Sequence, residues 1–177
     1  MSPILPRVSS RRLVVPEPLR LWACGIAELN SDLSEDGLYV GNGYALGPTS
    51  RGNLYAGRAP VPAHVDITEC EMGDRPRFPV WGLMLTCPDG ALEWDSGSAA
   101  IGTGCAYVID PLHTHGVSGP SGDIAFIATW EWNPQEAFAD LDAFADAALD
   151  LAIALHSRDP DPTSFLEKEL GMVGELW

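Results

Sequence analysis

Three zones of different hydrophobic rhythm follow one another along the chain. In the central zone, residues 38–132, short apolar runs are separated by stretches rich in glycine and proline. The runs fall at 38–40, 64–70, 80–87, 91–94, 105–110 and 124–132, punctuated by turn sequences such as Pro88-Asp89-Gly90. Many short strands at such spacing predict an antiparallel sandwich or barrel. Residues 41–58, glycine-rich and lying ahead of the first histidine, read as a mobile substrate loop. The preceding zone, residues 1–37, alternates proline-bounded apolar pieces (13–15 and 19–26) with a polar stretch. It predicts a strand or two, or a strand and a short helix.

The rhythm changes at Asn133. That residue, with Pro134 after it and Glu136 two further on, carries the signals of a helix start: a side-chain cap, a proline at the first helical position and an early acid. Phe138, Leu141, Ala145, Ala148, Ala152 and Leu155 then form one apolar stripe at helical spacing. Asp142, Asp146 and Asp150 repeat every four residues on another face; like charges so placed repel, so this face must be solvated or meet a cation. Asp161-Pro162 starts a second helix that runs to about residue 170. The expected organisation is a β core with an N-terminal extension over 1–132 and a helical appendage over 133–177, packed on the core. The apolar stripe also offers a face for pairing with a second copy of the chain.

Composition narrows the class. The 177 residues are 46% apolar and 20% charged, which suffices for one domain with a real core. No apolar run approaches the ~18–20 residues that span a bilayer, and the proline- and arginine-rich N-terminus lacks the apolar core of a secretory signal. The net charge is −15, and eight of the ten basic residues precede position 79. Nucleic-acid binding through phosphate contacts is therefore not expected. Cys24, Cys70, Cys87 and Cys105 form no CxxC pair, which excludes a zinc knuckle or thioredoxin-type motif and points to reduced thiols and a cytoplasmic location. No nucleophile elbow, P-loop or dinucleotide fingerprint is present.

Histidine is scarce, and three of the four fall in the β-rich zone. His64-Val65-Asp66 is an HxD, and in a strand residues two apart project to one face, as two ligands of one metal must. The run from Gly104 to Val117 supplies His113 and His115 downstream. Two histidines and a carboxylate on a rigid sheet form the facial triad of non-haem Fe(II) oxygenases, which leaves metal positions open.

Here the chain resembles the Fe(II)/2-oxoglutarate-dependent oxygenase superfamily, in particular its prolyl-hydroxylase-like branch. Three pieces carry the resemblance. Tyr55 to Asp66 is similar to that family's tyrosine and glycine ahead of the HxD. Gly104 to Val117 is similar to its glycine, apolar run, aspartate and His-Gly-Val strand. Gly122 to Trp132 is similar to its last core strand. The resemblance spans about residues 38–132 and implies a double-stranded β-helix, a jelly-roll or cupin-like core, with helices at the C-terminus. It implies His64, Asp66 and His115 as iron ligands, with His113 beside them, and a reaction in which 2-oxoglutarate and dioxygen support hydroxylation of a small-molecule or peptide substrate.

The chain departs from the family at one point. Members carry an arginine or lysine about ten residues after the distal histidine, because a buried carboxylate of 2-oxoglutarate needs a fixed cation. Here residues 122–127 hold no basic side chain. Arg77, entering the strand after the HxD, is the first substitute and Arg58 the second, with Tyr55 a further hydrogen-bonding partner. If no arginine serves, the expected function is a cupin-like metal enzyme that does not use 2-oxoglutarate. A third reading is a non-enzymatic acidic binding module that uses the Asp142, Asp146 and Asp150 face.

Overall fold

The computed structural model of the chain describes residues 4–33, 38–47, 50–129 and 138–174. In chain order its elements are β1 (Arg7–Arg12), α1 (Glu17–Leu33), β2 (Tyr39–Ala45), β3 (Arg51–His64), α2 (Glu69–Met72), β4 (Val80–Thr86), β5 (Gly90–Trp94), β6 (Gly97–Ile101), β7 (Cys105–Ile109), β8 (His115–Thr129), α3 (Leu141–Arg158) and α4 (Pro162–Gly174). The strands run in the order β1-β7-β4-β8-β3-β2, and every neighbouring pair is antiparallel.

Two long strands shape the sheet. β3 pairs with β8 from Gly52 opposite Thr129 to His64 opposite His115. The other edge of β8 is divided: its first residues pair with β5, and residues 125–128 pair with β4. A strand that changes partner midway must bend, so the sheet curls round a cavity. The result is a mainly β, jelly-roll, cupin-like core with helices outside.

Side-chain alternation separates two apolar layers. Leu83, Leu85, Ala125 and Ile127 face outward and are buried with α1, α3 and α4. Met84, Ile124, Phe126 and Ala128, their neighbours in the chain, face the inside of the curl with Tyr107 and Ile109 of β7. Gly82 of β4 lies opposite Tyr107, and a Cβ there would sit 2.1 Å from Cζ of that ring. Only glycine lets the tyrosine lie flat against β4.

The helices differ from expectation in three ways. α1 is 17 residues long, not a short piece, because Leu19, Trp22, Ala23, Ile26, Ala27 and Asn30 make one buried stripe. α3 starts at Leu141, where Asp140 Oδ1 accepts from the Ala143 N–H at 2.8 Å; Phe138 precedes the helix, and Asn133, Pro134, Trp130 and Trp132 lie outside the described residues. The stripe of α3 is buried on the chain's own sheet. The acidic face meets its cation within the chain, since Arg11 of β1 reaches Asp142 at 3.5 Å and Asp146 at 2.9 Å. α4 begins at Pro162 as expected, and Asp159 anchors it, taking Lys168 Nζ at 2.5 Å and Ser164 Oγ at 3.1 Å. Residues 41–58 belong mostly to β2 and β3 rather than to a loop.

Candidate metal centre

The β3–β8 register builds the site. His64 ends β3 and His115 begins β8; the two are directly opposite, with ring centroids 4.6 Å apart. The run 64–70 is no strand beyond His64: the chain turns at residues 65–68 and forms α2, which Thr68 and Glu71 cap reciprocally. The turn draws Asp66 inward, because its N–H and that of Ile67 donate to the Pro111 carbonyl at 2.9 and 3.2 Å. Asp66 Oδ1 then lies 3.4 Å from Nε2 of both histidines. One atom from each of the three residues falls within 4.8 Å of the other two.

Each ring is oriented by its own backbone. Nδ1 of His64 lies 2.8 Å from the Pro62 carbonyl, and Nδ1 of His115 lies 2.9 Å from the His113 carbonyl. A carbonyl takes a proton from Nδ1 and so leaves Nε2 as a lone-pair donor, which is the arrangement found behind metal-ligating histidines. Burial works to raise the Asp66 carboxyl, but the adjoining His115 and His64 rings, which donate from Nε2 when protonated, outweigh it and hold the group down to about 2. Asp66 in turn raises the pKa of His64, against the effect of burial. The cluster thus favours positive charge at the point its three donor atoms share, and the donor set fits a divalent metal.

A buried ion pair supports this geometry from behind. Arg77 grips Asp110 in bidentate fashion through one edge of its guanidinium, with Nε to Oδ1 at 2.9 Å and the second contact from Nη2 to Oδ2. Asp110 is 2% exposed and also accepts the Leu112 N–H, while its carbonyl accepts that of His113. The turn 110–113, fixed in this way, presents the Pro111 carbonyl to Asp66 and the His113 carbonyl to His115. Arg77, the first substitute for a carboxylate-binding arginine, is therefore committed to Asp110 and does not line the cavity.

The cavity beside the cluster has a volume of about 880 Å³ and is lined by His64, Asp66 and His115 together with Arg58 and Tyr55. Arg58 lies opposite Asp123 of β8 and forms no ion pair among the described residues. Tyr55 stacks on Phe126 at 5.0 Å, and its hydroxyl accepts from Asn53 Nδ2 at 3.1 Å. His113 contributes only its carbonyl: its ring is 58% exposed, 4.0 Å from Asp95. It precedes β8, so the two-residue spacing from His115 does not place both rings on one face. Sequence reasoning missed Tyr107, which is 5% exposed and lines the cavity; it is hidden in a run, 105–110, that reads as plain core. Trp81 packs against Phe138 and Phe144 beneath α3, and Trp94 packs against the inner layer. All four cysteines are free thiols.

No family model matches the chain, and no curated protein matches it. Among solved structures it is similar to a cupin protein from Bacteroides fragilis, at 14% identity over 54% of this chain and 75% of that one, with a TM-score of 0.35. It is also similar to a Cupin 2 conserved barrel domain protein from Salinispora arenicola, at 20% identity over 58% and 75% of the two chains, TM-score 0.33. A cupin 2 domain-containing protein from Halorhodospira halophila shares 13% identity over 60% and 70%, TM-score 0.34. Likeness at this level carries no functional information. What the coordinates define on their own is a cupin-like barrel with a His-Asp-His cluster facing its cavity. Among the described residues no helix is long and apolar enough to cross a membrane.

Proposed function

We propose that this protein is a mononuclear non-haem Fe(II) dioxygenase that uses 2-oxoglutarate to hydroxylate a small organic substrate. One observation carries the reading: two imidazole Nε2 atoms and one carboxylate oxygen converge beside a half-open, largely apolar cavity, each imidazole oriented through its Nδ1. His64, Asp66 and His115 would hold the iron, whose chemistry when bound is the reductive activation of dioxygen. Arg58 takes the part of the missing basic residue, because it lines the cavity and lies opposite Asp123, in the stretch where the resembling family carries that residue. Tyr55 stands on the same wall.

A second reading is favoured by the Arg77–Asp110 pair, which removes one of the two arginines proposed for the keto acid and leaves an exposed Arg58 as its sole replacement. On that reading the same triad serves a metal enzyme that needs no 2-oxoglutarate. Anaerobic titration with Fe(II), then with 2-oxoglutarate, separates the two through the visible metal-to-ligand charge-transfer band. A band that requires both components and disappears in Arg58→Gln supports the first reading. Iron binding with no response to 2-oxoglutarate supports the second. No iron binding refutes both.

A further inference from the structure

The cavity has two chemically different regions. Around the cluster and Arg58 it is charged; along β4, β7 and β8 its wall is Val80, Met84, Ile109, Val117 and Phe126. Two phenols stand in that wall: Tyr55, whose hydroxyl takes the Asn53 amide, and Tyr107. Tyr107 is 5% exposed, it lines the cavity, and its hydroxyl has no hydrogen-bond partner among the described residues. Its position is imposed by the sheet: the ring lies over Gly82, where a Cβ would be 2.3 Å from the hydroxyl, and meets Phe126 edge-on at 6.4 Å. Burial, and then the neighbouring Asp66, raise its pKa well above the usual phenol value, so the group stays a neutral donor. That hydroxyl is therefore open to a ligand that brings an acceptor.

We propose that this chamber binds the substrate, an uncharged and mainly apolar small molecule that presents one carbonyl, ether or hydroxyl oxygen to Tyr107. The inference rests on the reading that the cavity serves the metal cluster. Its volume lies within the range of about 300–1,000 Å³ typical of small-molecule sites, which suits a compact polycyclic molecule better than an extended peptide. An anionic substrate fits poorly: among the described residues Arg58 is the arginine or lysine that lines the cavity and it is assigned to the keto acid, and an unpaired carboxylate in such a wall is costly. A neutral acceptor meets the Tyr107 hydroxyl, while those of Ser31 and Thr129 are engaged with backbone carbonyls.

The test uses metal-free protein carrying Arg58→Gln, so that the arginine assigned to the keto acid does not capture a carboxylate, and three probes of one skeleton: 2-adamantanone, adamantane and adamantane-1-carboxylate, with binding followed by ligand-observed NMR. The ketone should bind tightest, and the carboxylate at least tenfold more weakly. Tyr107→Phe should lower ketone affinity about tenfold and leave the hydrocarbon unchanged, which also reports that the variant is folded. Met84→Phe, which narrows the chamber from β4, should weaken all three probes. Equal or tighter binding of the carboxylate, an unchanged ketone affinity in Tyr107→Phe, or no binding of any probe would each overturn the proposal. Co(II) titration of the same samples separates this failure from that of the metal reading. Lost probe binding with Co(II) bound sinks the substrate class alone; lost Co(II) binding with probes bound sinks the metal centre alone.

Discussion

Replacing Arg77 by methionine tests how far the metal cluster depends on support from outside the cavity. The substitution keeps most of the apolar stem and removes the fork from Asp110, which is 2% exposed. Breaking a buried ion pair on one side costs about 3–5 kcal/mol, because the remaining charge is uncompensated. Arg77 is 30% exposed at its side chain, so water reaches the fork and the lower end, about 3 kcal/mol, applies. At roughly 2–4 °C per kcal/mol for a domain of this size, the thermal midpoint should fall by about 6–12 °C. Arg77→Met/Asp110→Leu should recover most of that loss, short of about 1 kcal/mol for the orphaned Leu112 N–H. Both variants should bind Co(II) about 10- to 100-fold more weakly, because the turn that orients Asp66 and His115 has lost its anchor. A midpoint within a degree or two of wild type, with Co(II) affinity intact, would refute the reasoning.

Three further outcomes are expected. Asp66→Ala should abolish Fe(II) and Co(II) binding while circular dichroism shows the sheet intact; retained metal affinity would remove the triad. Gly82→Ala should lower stability by about 1–3 kcal/mol through overpacking against Tyr107 and weaken ketone binding as the ring is displaced, both read by thermal shift; an unchanged midpoint would show that the ring has room to move. The carboxyl of Asp159 is held below its ordinary value chiefly by Lys168, so its contribution is full above the usual carboxylate pKa near 4 and is lost as pH falls through the lowered one. The midpoints of wild type and Lys168→Met should therefore differ at pH 6 and converge as the pH is taken below 4; a gap that persists at pH 2 would refute this.

The parts of the molecule that were legible in the sequence are those whose cause is local. His64, Asp66 and His115 could be singled out because an HxD and a later histidine are visible as letters, and β4, β5 and β7 because their apolar runs end at turn residues. β3 was not, since Gly52, Gly57, Pro60 and Pro62 read as loop when its partner is unseen; pairing with β8 overrides local propensity. α1 was cut short by the prolines that flank its start, although its buried positions follow a helical period. The Arg77–Asp110 and Arg11–Asp146 pairs join residues 33 and 135 positions apart, and nothing in the chain near either member announces the other. His113 misled because the two-residue rule holds only inside a strand, and the strand begins at His115. Tyr107 looked like core, and its hydroxyl became notable only once the cavity around it was known.

The pairing of His64 with His115 also bears on the order of events when the chain folds. The two sit on strands separated by β4, β5, β6 and β7, so they meet through a long-range pairing, and contacts of that kind form slowly. Until β8 has docked along β3 there is no cluster, no cavity mouth and no surface for a cation to recognise. Metal uptake should accordingly be a late, all-or-none event, and its rate a direct clock for closure of the barrel.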